Sequence, residues 1–431
     1  MNLSELIVKY DVPGAQVAVL ADGEIHDEAA GVLSLRTRVE TTTDSVFKVG
    51  SITKIWTATL VQQLVHDGLL DLDRPVRDYL PGFRLSDPAA TAALTARHLL
   101  THTGGVDANH FTDTGRNDDA IEKFVATLAD ADHLLPPGTV LSYSNSGYVV
   151  LGRLVEVLRG KHFHDVLRER LVAPLGLDTV ATDTYEAILH RAAIGHGEAG
   201  VPTTKWAVSY YSAPSGSHLA MSARDLLRFV RLHLTDRTLA ALREPQLESV
   251  PDFGGGVVGW GLGWMLYQDG VIGHTGVSKG QKAFLRVVPS AGVAVAVMTN
   301  SSGGEPLAHE IFVAVLGDLA GVETAPLPAP PENPTVVDAD RMCGTYRSTL
   351  YDITLTVEND RAFLIYRPRN ELAESFLGKP EDRVEVVRLG DNAIITAEPK
   401  FDGHKVLSLI GSDEHGRARF LHNGAAAHRI A

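Results

Sequence analysis

The chain has 431 residues, 44% of them hydrophobic, enough for a sizeable core and for about two domains. Its 39 Lys and Arg against 53 Asp and Glu leave a formal net charge of −14, which argues against nucleic acid or an anionic membrane as partner. A small molecule or peptide is the expected substrate, and Cys343, the lone cysteine, can form no internal disulfide, as in a reducing compartment.

The opening Met1-Asn2-Leu3-Ser4-Glu5-Leu6 has no basic segment followed by a long apolar one, and no apolar run approaches membrane-spanning length. The expectation is a cytoplasmic address. Residues 17–20, the Asp22-Gly23 turn and the segment up to Val32 read as a hairpin. Residues 45–49 read as a short extended segment reaching Gly50, and from Ile55 apolar residues recur at helical spacing through Ala58, Val61 and Leu64. Ser51 therefore opens a helix, with Lys54 about one turn on and on the same face. An oxyanion forming at Ser51 would meet the unpartnered N–H groups of a first turn, and a neutral Lys54 amine could take the Ser51 proton. Two plainer readings stand beside this one. A serine at a helix start is often only an N-cap. Ser45-Val46-Phe47-Lys48 repeats the Ser-x-x-Lys spacing, but in an extended run its ends point to opposite faces.

Residues 68–250 are mostly helical with long loops, with helix periodicity over 121–128, 149–158, 163–171 and 223–234. Strand signals return over 259–266, 283–288 and 292–298, and 306–319 reads as a closing helix. The economical architecture is an α/β domain whose sheet is built from both ends of the region, with a helical insertion between them. Active sites often fall at such seams. Residues 325–335 include five prolines and read as an extended, semi-rigid linker between a domain of residues 1–324 and one of residues 336–431. Short alternating segments at 353–357, 362–366, 384–387 and 393–397 suggest that the second domain is a small antiparallel barrel of structural or substrate-shaping role.

Tyr143-Ser144-Asn145 follows Pro136-Pro137-Gly138, a loop that could enter a cleft. Near a cationic Lys54 a Tyr143 phenolate would be favoured, making it a candidate base, and Asn145 could bond both Lys54 and a substrate amide or ester. A buried, hydrogen-bonded tyrosine is the structural alternative. On the strand-like return, His274-Thr275-Gly276 leaves room beside Gly276 for substrate, and Val277 would pair its N–H with that of Ser51 as an oxyanion hole. A second copy, His102-Thr103-Gly104, reads as a helix-ending turn. Trp260 and Trp264 could wall an apolar acyl pocket or pack in the core. Gly276-Val277-Ser278-Lys279-Gly280 fits a nucleophile elbow with His309 downstream, but that motif needs a helix after its serine where the pattern here is strand-like. His309-Glu310, His162 and His164 lack the spacing of a metal helix, so no metal and no cofactor is expected.

Ser51 to Lys54, Tyr143 to Asn145 and His274 to Gly276, in this order, resemble the motifs of the serine beta-lactamase and penicillin-binding-protein-like family, in particular its class C beta-lactamase, D-aminopeptidase and esterase branch. Further matching stretches are Asp67-Gly68-Leu69-Leu70-Asp71-Leu72-Asp73, Arg97-His98-Leu99-Leu100-Thr101-His102-Thr103-Gly104-Gly105, Pro174-Leu175-Gly176-Leu177 and Thr299-Asn300. The resemblance implies a beta-lactamase/transpeptidase-like fold followed by a lipocalin-like barrel. It implies Ser51 as acylated nucleophile, Lys54 and Tyr143 sharing the proton work, Asn145 orienting substrate, and Ser51 with Val277 as oxyanion hole. His274 stands where beta-lactamases and cell-wall transpeptidases carry lysine, which puts binding of a substrate carboxylate in doubt, with Lys279 and Lys282 as candidate replacements. The expected activity is hydrolysis of an ester, amide or peptide through an acyl-enzyme. The alternatives are an acyltransferase or peptide cyclase of a natural-product pathway, with a carrier-protein-linked acyl donor, and a non-catalytic binding module.

Overall fold

The structure, a computed structural model, describes residues 2–107, 110–133, 135–206, 209–377, 379–400 and 403–431. β1 (Gly14–Ala21) and β2 (Glu24–Gly31) form the expected hairpin, turned by Asp22 and Gly23 at φ 52° and 79°. Positive φ at both central residues gives such a turn the twist of its strands. β3 (Phe47–Lys48), β4 (Val180–Ala181) and β5 (Ala220–Met221) form a separate three-stranded sheet, so the extended segment before Gly50 lies outside the main sheet. β6 (Gly259–Trp260), β7 (Met265–Leu266), β8 (Ile272–Ser278), β9 (Gln281–Val288) and β10 (Val293–Thr299) complete the seven-stranded main sheet, in the order β2-β1-β10-β9-β8-β7-β6. Because β1 pairs antiparallel with β10, the two ends of the domain meet in mid-sheet and the helical insertion lies between them in sequence.

β10 shows how the sheet is held. Val293, Val295 and Val297 face a cluster with Leu307 and Ile311 of the helix Glu305–Ala320, while Ala294, Ala296 and Met298 face the larger core with Leu226 and Val230 of the helix Ala223–Thr235. A strand buried on both faces reads as a continuous apolar run, because its period-two sides are both core. The expected helices at 121–128, 149–158, 223–234 and 306–319 are present within a few residues. That at 163–171 is an α-helix only over Phe163–Leu167 and continues as a π-turn, Arg168–Val172. The run 259–266, expected as one strand, is instead two short strands paired around 261–264. Gly263 there, at φ 92°, lies so close to the helix Thr53–His66 that a Cβ on it would sit 2.8 Å from Ala58 Cβ.

Residues 321–338 carry no helix or strand. After them β11 (Gly344–Arg347), β12 (Tyr351–Glu358), β13 (Arg361–Pro368), β14 (Asp382–Gly390), β15 (Ala393–Thr396), β16 (Val406–Ile410), β17 (Phe420–His422) and β18 (Ala426–Arg429) form a closed barrel. β18 pairs back onto β11, so no edge is left, and Leu355, Leu364, Ile394 and Leu409 fill its apolar interior. Among the described residues no helix is long and apolar enough to cross a membrane.

Candidate active site

Ser51 lies in a 3-10 turn, Gly50–Ile52, that runs into the helix Thr53–His66. That helix is apolar on nearly every side, with Ile55, Trp56, Ala58, Leu60 and Val61 all buried, which fixes it in the middle of the core. Lys54 on its first turn is buried with them. Its Nζ lies 3.1 Å from Ser51 Oγ, 2.7 Å from Asn145 Oδ1 and 2.8 Å from the Ser215 carbonyl oxygen. The last two are acceptors and use two N–H groups. A neutral amine then has its lone pair left for the Ser51 hydroxyl. Burial holds Lys54 well below the usual range of a lysine amine, which favours that neutral form.

Tyr143 shares a hydrogen bond with Ser51, and its ring lies 4.8 Å from Lys54 Nζ. Burial pushes its phenol up, and the bond to Ser51 only partly opposes this. Burial thus works against the expected pairing of a cationic Lys54 with a Tyr143 phenolate, since it disfavours both charges. Asn145 starts the helix Asn145–Arg159, with Ser144 as N-cap accepting from the Gly147 N–H at 3.0 Å. The cap aims the Asn145 side chain at Lys54.

Gly50 and Gly276 bring strand β8 to the nucleophile. A Cβ on Gly276 would sit 1.8 Å from Val49 O and 3.1 Å from Ser51 N, and one on Gly50 would sit 2.6 Å from Val277 N. Their close approach brings the backbone of Val277 up to that of Ser51. His274 is buried, donates from Nδ1 to the Thr275 carbonyl at 2.8 Å, and is held down to about 3 by burial and then by Lys54. It is neutral at pH 7 and supplies no positive charge for a carboxylate. Its Nε2 lone pair has no partner among the described residues. Lys282 faces Glu305 at 3.9 Å on the other side of the sheet. Trp260 is buried edge-on to Tyr143 and His274, with ring centres 6.0 Å and 6.1 Å away, whereas Trp264 packs in the core against His233.

The alternative motifs do not assemble. Ser45 Oγ accepts from Thr42 N–H, while Lys48 Nζ donates to Trp206 O. Ser278 ends β8 opposite Gln281 of β9, a hairpin with no helix after the serine, and His309 Nε2 pairs with Ala325 O.

Two groups absent from the sequence-based list support the site. Ser215 contributes a backbone carbonyl, which no side-chain pattern announces. His102, read as a turn residue, does turn the chain at φ 57°, but its ring also stacks on Tyr143 with centres 4.2 Å apart. Its carbonyl accepts from Ser142 N–H at 2.8 Å and its Nδ1 from Ser144 N–H at 3.0 Å. The second His-Thr-Gly copy was the signal that could have marked it.

A family model described as Beta-lactamase matches residues 2–318. Penicillin-binding protein 4 of Amycolatopsis lactamdurans is 43% identical over 360 residues, covering 79% of this chain and 94% of that protein. The structure of SurE with D-Leu aligns with 99% of this chain and 97% of its own, at 29% identity and a TM-score of 0.78. A class C beta-lactamase from Rhodobacter sphaeroides shares the fold over 69% of this chain and 92% of its own, at 23% identity and a TM-score of 0.58. With these likenesses and this geometry, the chain belongs to the beta-lactamase family, among its penicillin-binding-protein homologues, and is an enzyme of the family's serine hydrolase and acyltransferase type.

Proposed function

We propose that the protein forms an acyl-enzyme at Ser51 and releases the acyl group to water, acting on a peptidyl or small acyl ester or amide. The observation that carries this reading is the buried Lys54 amine, whose neutral form burial favours, at 3.1 Å from Ser51 Oγ, with its other hydrogen bonds made to Asn145 and Ser215. Ser51 Oγ attacks the substrate carbonyl as its proton passes to Lys54 Nζ. The oxyanion forms against the amides of Ser51 and Val277. The leaving group takes the Tyr143 phenolic proton, and the Lys54 ammonium restores it, so both groups end neutral. Water then attacks the acyl-Ser51 carbonyl by the same route in reverse.

A neutral His274 favours acyl groups whose recognition does not depend on a carboxylate at that position. SurE holds D-Leu in its structure, and the likeness to SurE over the full chain supports a D-residue at the reacting carbonyl here. Acyl transfer to an amine, including cyclisation of a carrier-linked peptide, is the second reading. The closed barrel supports it, since the stand-alone peptide cyclases that this chain resembles carry a small C-terminal barrel. Product analysis with D- and L-configured peptidyl esters, with and without an amine acceptor, tests both. Free acid from the D-ester supports hydrolysis, amide or macrocycle supports transfer, and equal turnover of the two configurations removes the stereochemical part.

A further inference from the structure

The segment 141–144, which carries Tyr143, has no helix or strand of its own. Its backbone groups must therefore find partners elsewhere. On one side Ser142 N–H donates to His102 O at 2.8 Å. On the other side the partners of 141–143 come from the barrel, from the end of β17, the turn after it and the start of β18. His422 Nε2 donates to Leu141 O at 2.8 Å, Tyr143 N–H donates to Gly424 O at 2.8 Å, and Ala426 N–H donates to Ser142 Oγ at 3.2 Å. His422 is fully buried, and its Nδ1 accepts from Gly424 N–H at 3.3 Å, which fixes the Nε2–H tautomer and ties the turn to the same ring. Leu135 and Val140 pack with Phe420, Ala426 and Ile410 directly beneath this contact.

Resting on the acyl-enzyme reading, we propose that the β17–β18 turn is part of the catalytic apparatus, with His422 a positioning residue that sets Tyr143 against Ser51 through Leu141 and Gly424. The barrel is then a component of proton transfer and not an appended domain. Its hold is directional: alternate backbone groups along 141–143 are gripped from the His102 side and from the barrel side, so loss of either grip lets the phenol drift. A shift of an ångström in a proton-transfer group suffices to slow the step it serves. Burial also keeps His422 neutral, down to about 4, so the clamp is constant across the neutral range.

The test uses the full chain with His422→Leu, which removes the donor, and His422→Gln, whose amide can still donate to Leu141 O. Acylation of Ser51 by an activated ester is timed, and amide hydrogen exchange is followed over 141–144 and over 53–66. His422→Leu is expected to acylate about tenfold or more slowly at unchanged ester affinity, with faster exchange over 141–144 only, and His422→Gln to stay within about twofold of the parent. Parent-like acylation in His422→Leu, or an equal loss in His422→Gln with exchange unchanged, would overturn the proposal. If His422→Leu does not fold, Ser142→Ala takes its place, and parent-like acylation and exchange in it would overturn the proposal equally. An unmodified chain that no ester acylates would instead refute the acyl-enzyme reading, and exchange over 141–144 alone would then decide whether the turn grips the segment.

Discussion

The ring of His102 lies on that of Tyr143, centres 4.2 Å apart and planes 29° from parallel, while the next residue's amide, Ser144 N–H, donates to His102 Nδ1. The side chain that ends a short helix thus also holds the phenol and the N-cap of the helix that presents Asn145. His102→Asn keeps a residue that tolerates positive φ and removes the ring. We expect it to destabilise the fold by about 1–3 kcal/mol, mainly through the Ser144 N–H left without its acceptor, and to slow acylation. Denaturant unfolding and a timed acylation check this, and an unaltered acylation rate would exclude the supporting role.

Lys54 governs the pH dependence. As an ammonium it cannot take the Ser51 proton, so kcat/KM should fall as pH drops through its folded pKa, and burial places that limb well below the ordinary lysine range. Lys54→Ala should lower acylation by about 10²- to 10⁴-fold, the usual size of a lost general base. A rate that begins to rise only near pH 10 would show that Lys54 is charged in the resting enzyme.

Gly276→Ala tests the approach of β8 to the nucleophile. Its Cβ would sit 1.8 Å from Val49 O, so the strand must withdraw and carry the Val277 amide with it. The expected loss is about 10²- to 10³-fold in acylation, that of one oxyanion donor, with the barrel unaffected. Parent-like acylation in this variant would place the oxyanion elsewhere.

Buried histidines set the acid limit of stability. Burial holds His218, His233 and His274 down to about 3 and His422 to about 4. Unfolded, each titrates near 6.5. Above that value neither state is protonated and their full contribution is present. Below it the unfolded chain binds protons that the folded chain refuses, so stability falls as pH drops. Each contributes at most about 1.4 kcal/mol per pH unit. Urea unfolding between about pH 7 and about pH 5 reads this slope, and stability that rises on acidification would contradict neutral burial.

Much of this architecture is legible along the chain because local periodicity reports it. Ile55, Ala58 and Val61 mark the helix that sets Lys54 one turn from Ser51, and the alternation in β12 to β15 marks a barrel. What escapes is long-range or carried by backbone. The Ser215 carbonyl has no side-chain signature, and the turn at Gly424 meets Tyr143 from the far end of the sequence. Gly261 and Gly263 break the apolar run 259–266 at a close helix contact that periodicity does not register. The pairing of opposite charges expected for Lys54 and Tyr143 runs against their burial, which the spacing of the two motifs does not report.

The most direct test of the account is intact-mass spectrometry of the protein and of Ser51→Ala after exposure to activated peptidyl and small acyl esters. A single acyl adduct is expected on the parent chain, absent from Ser51→Ala while that variant keeps the parent's unfolding midpoint. An adduct of the same mass and rate on Ser51→Ala would contradict it, because the nucleophile would then lie elsewhere.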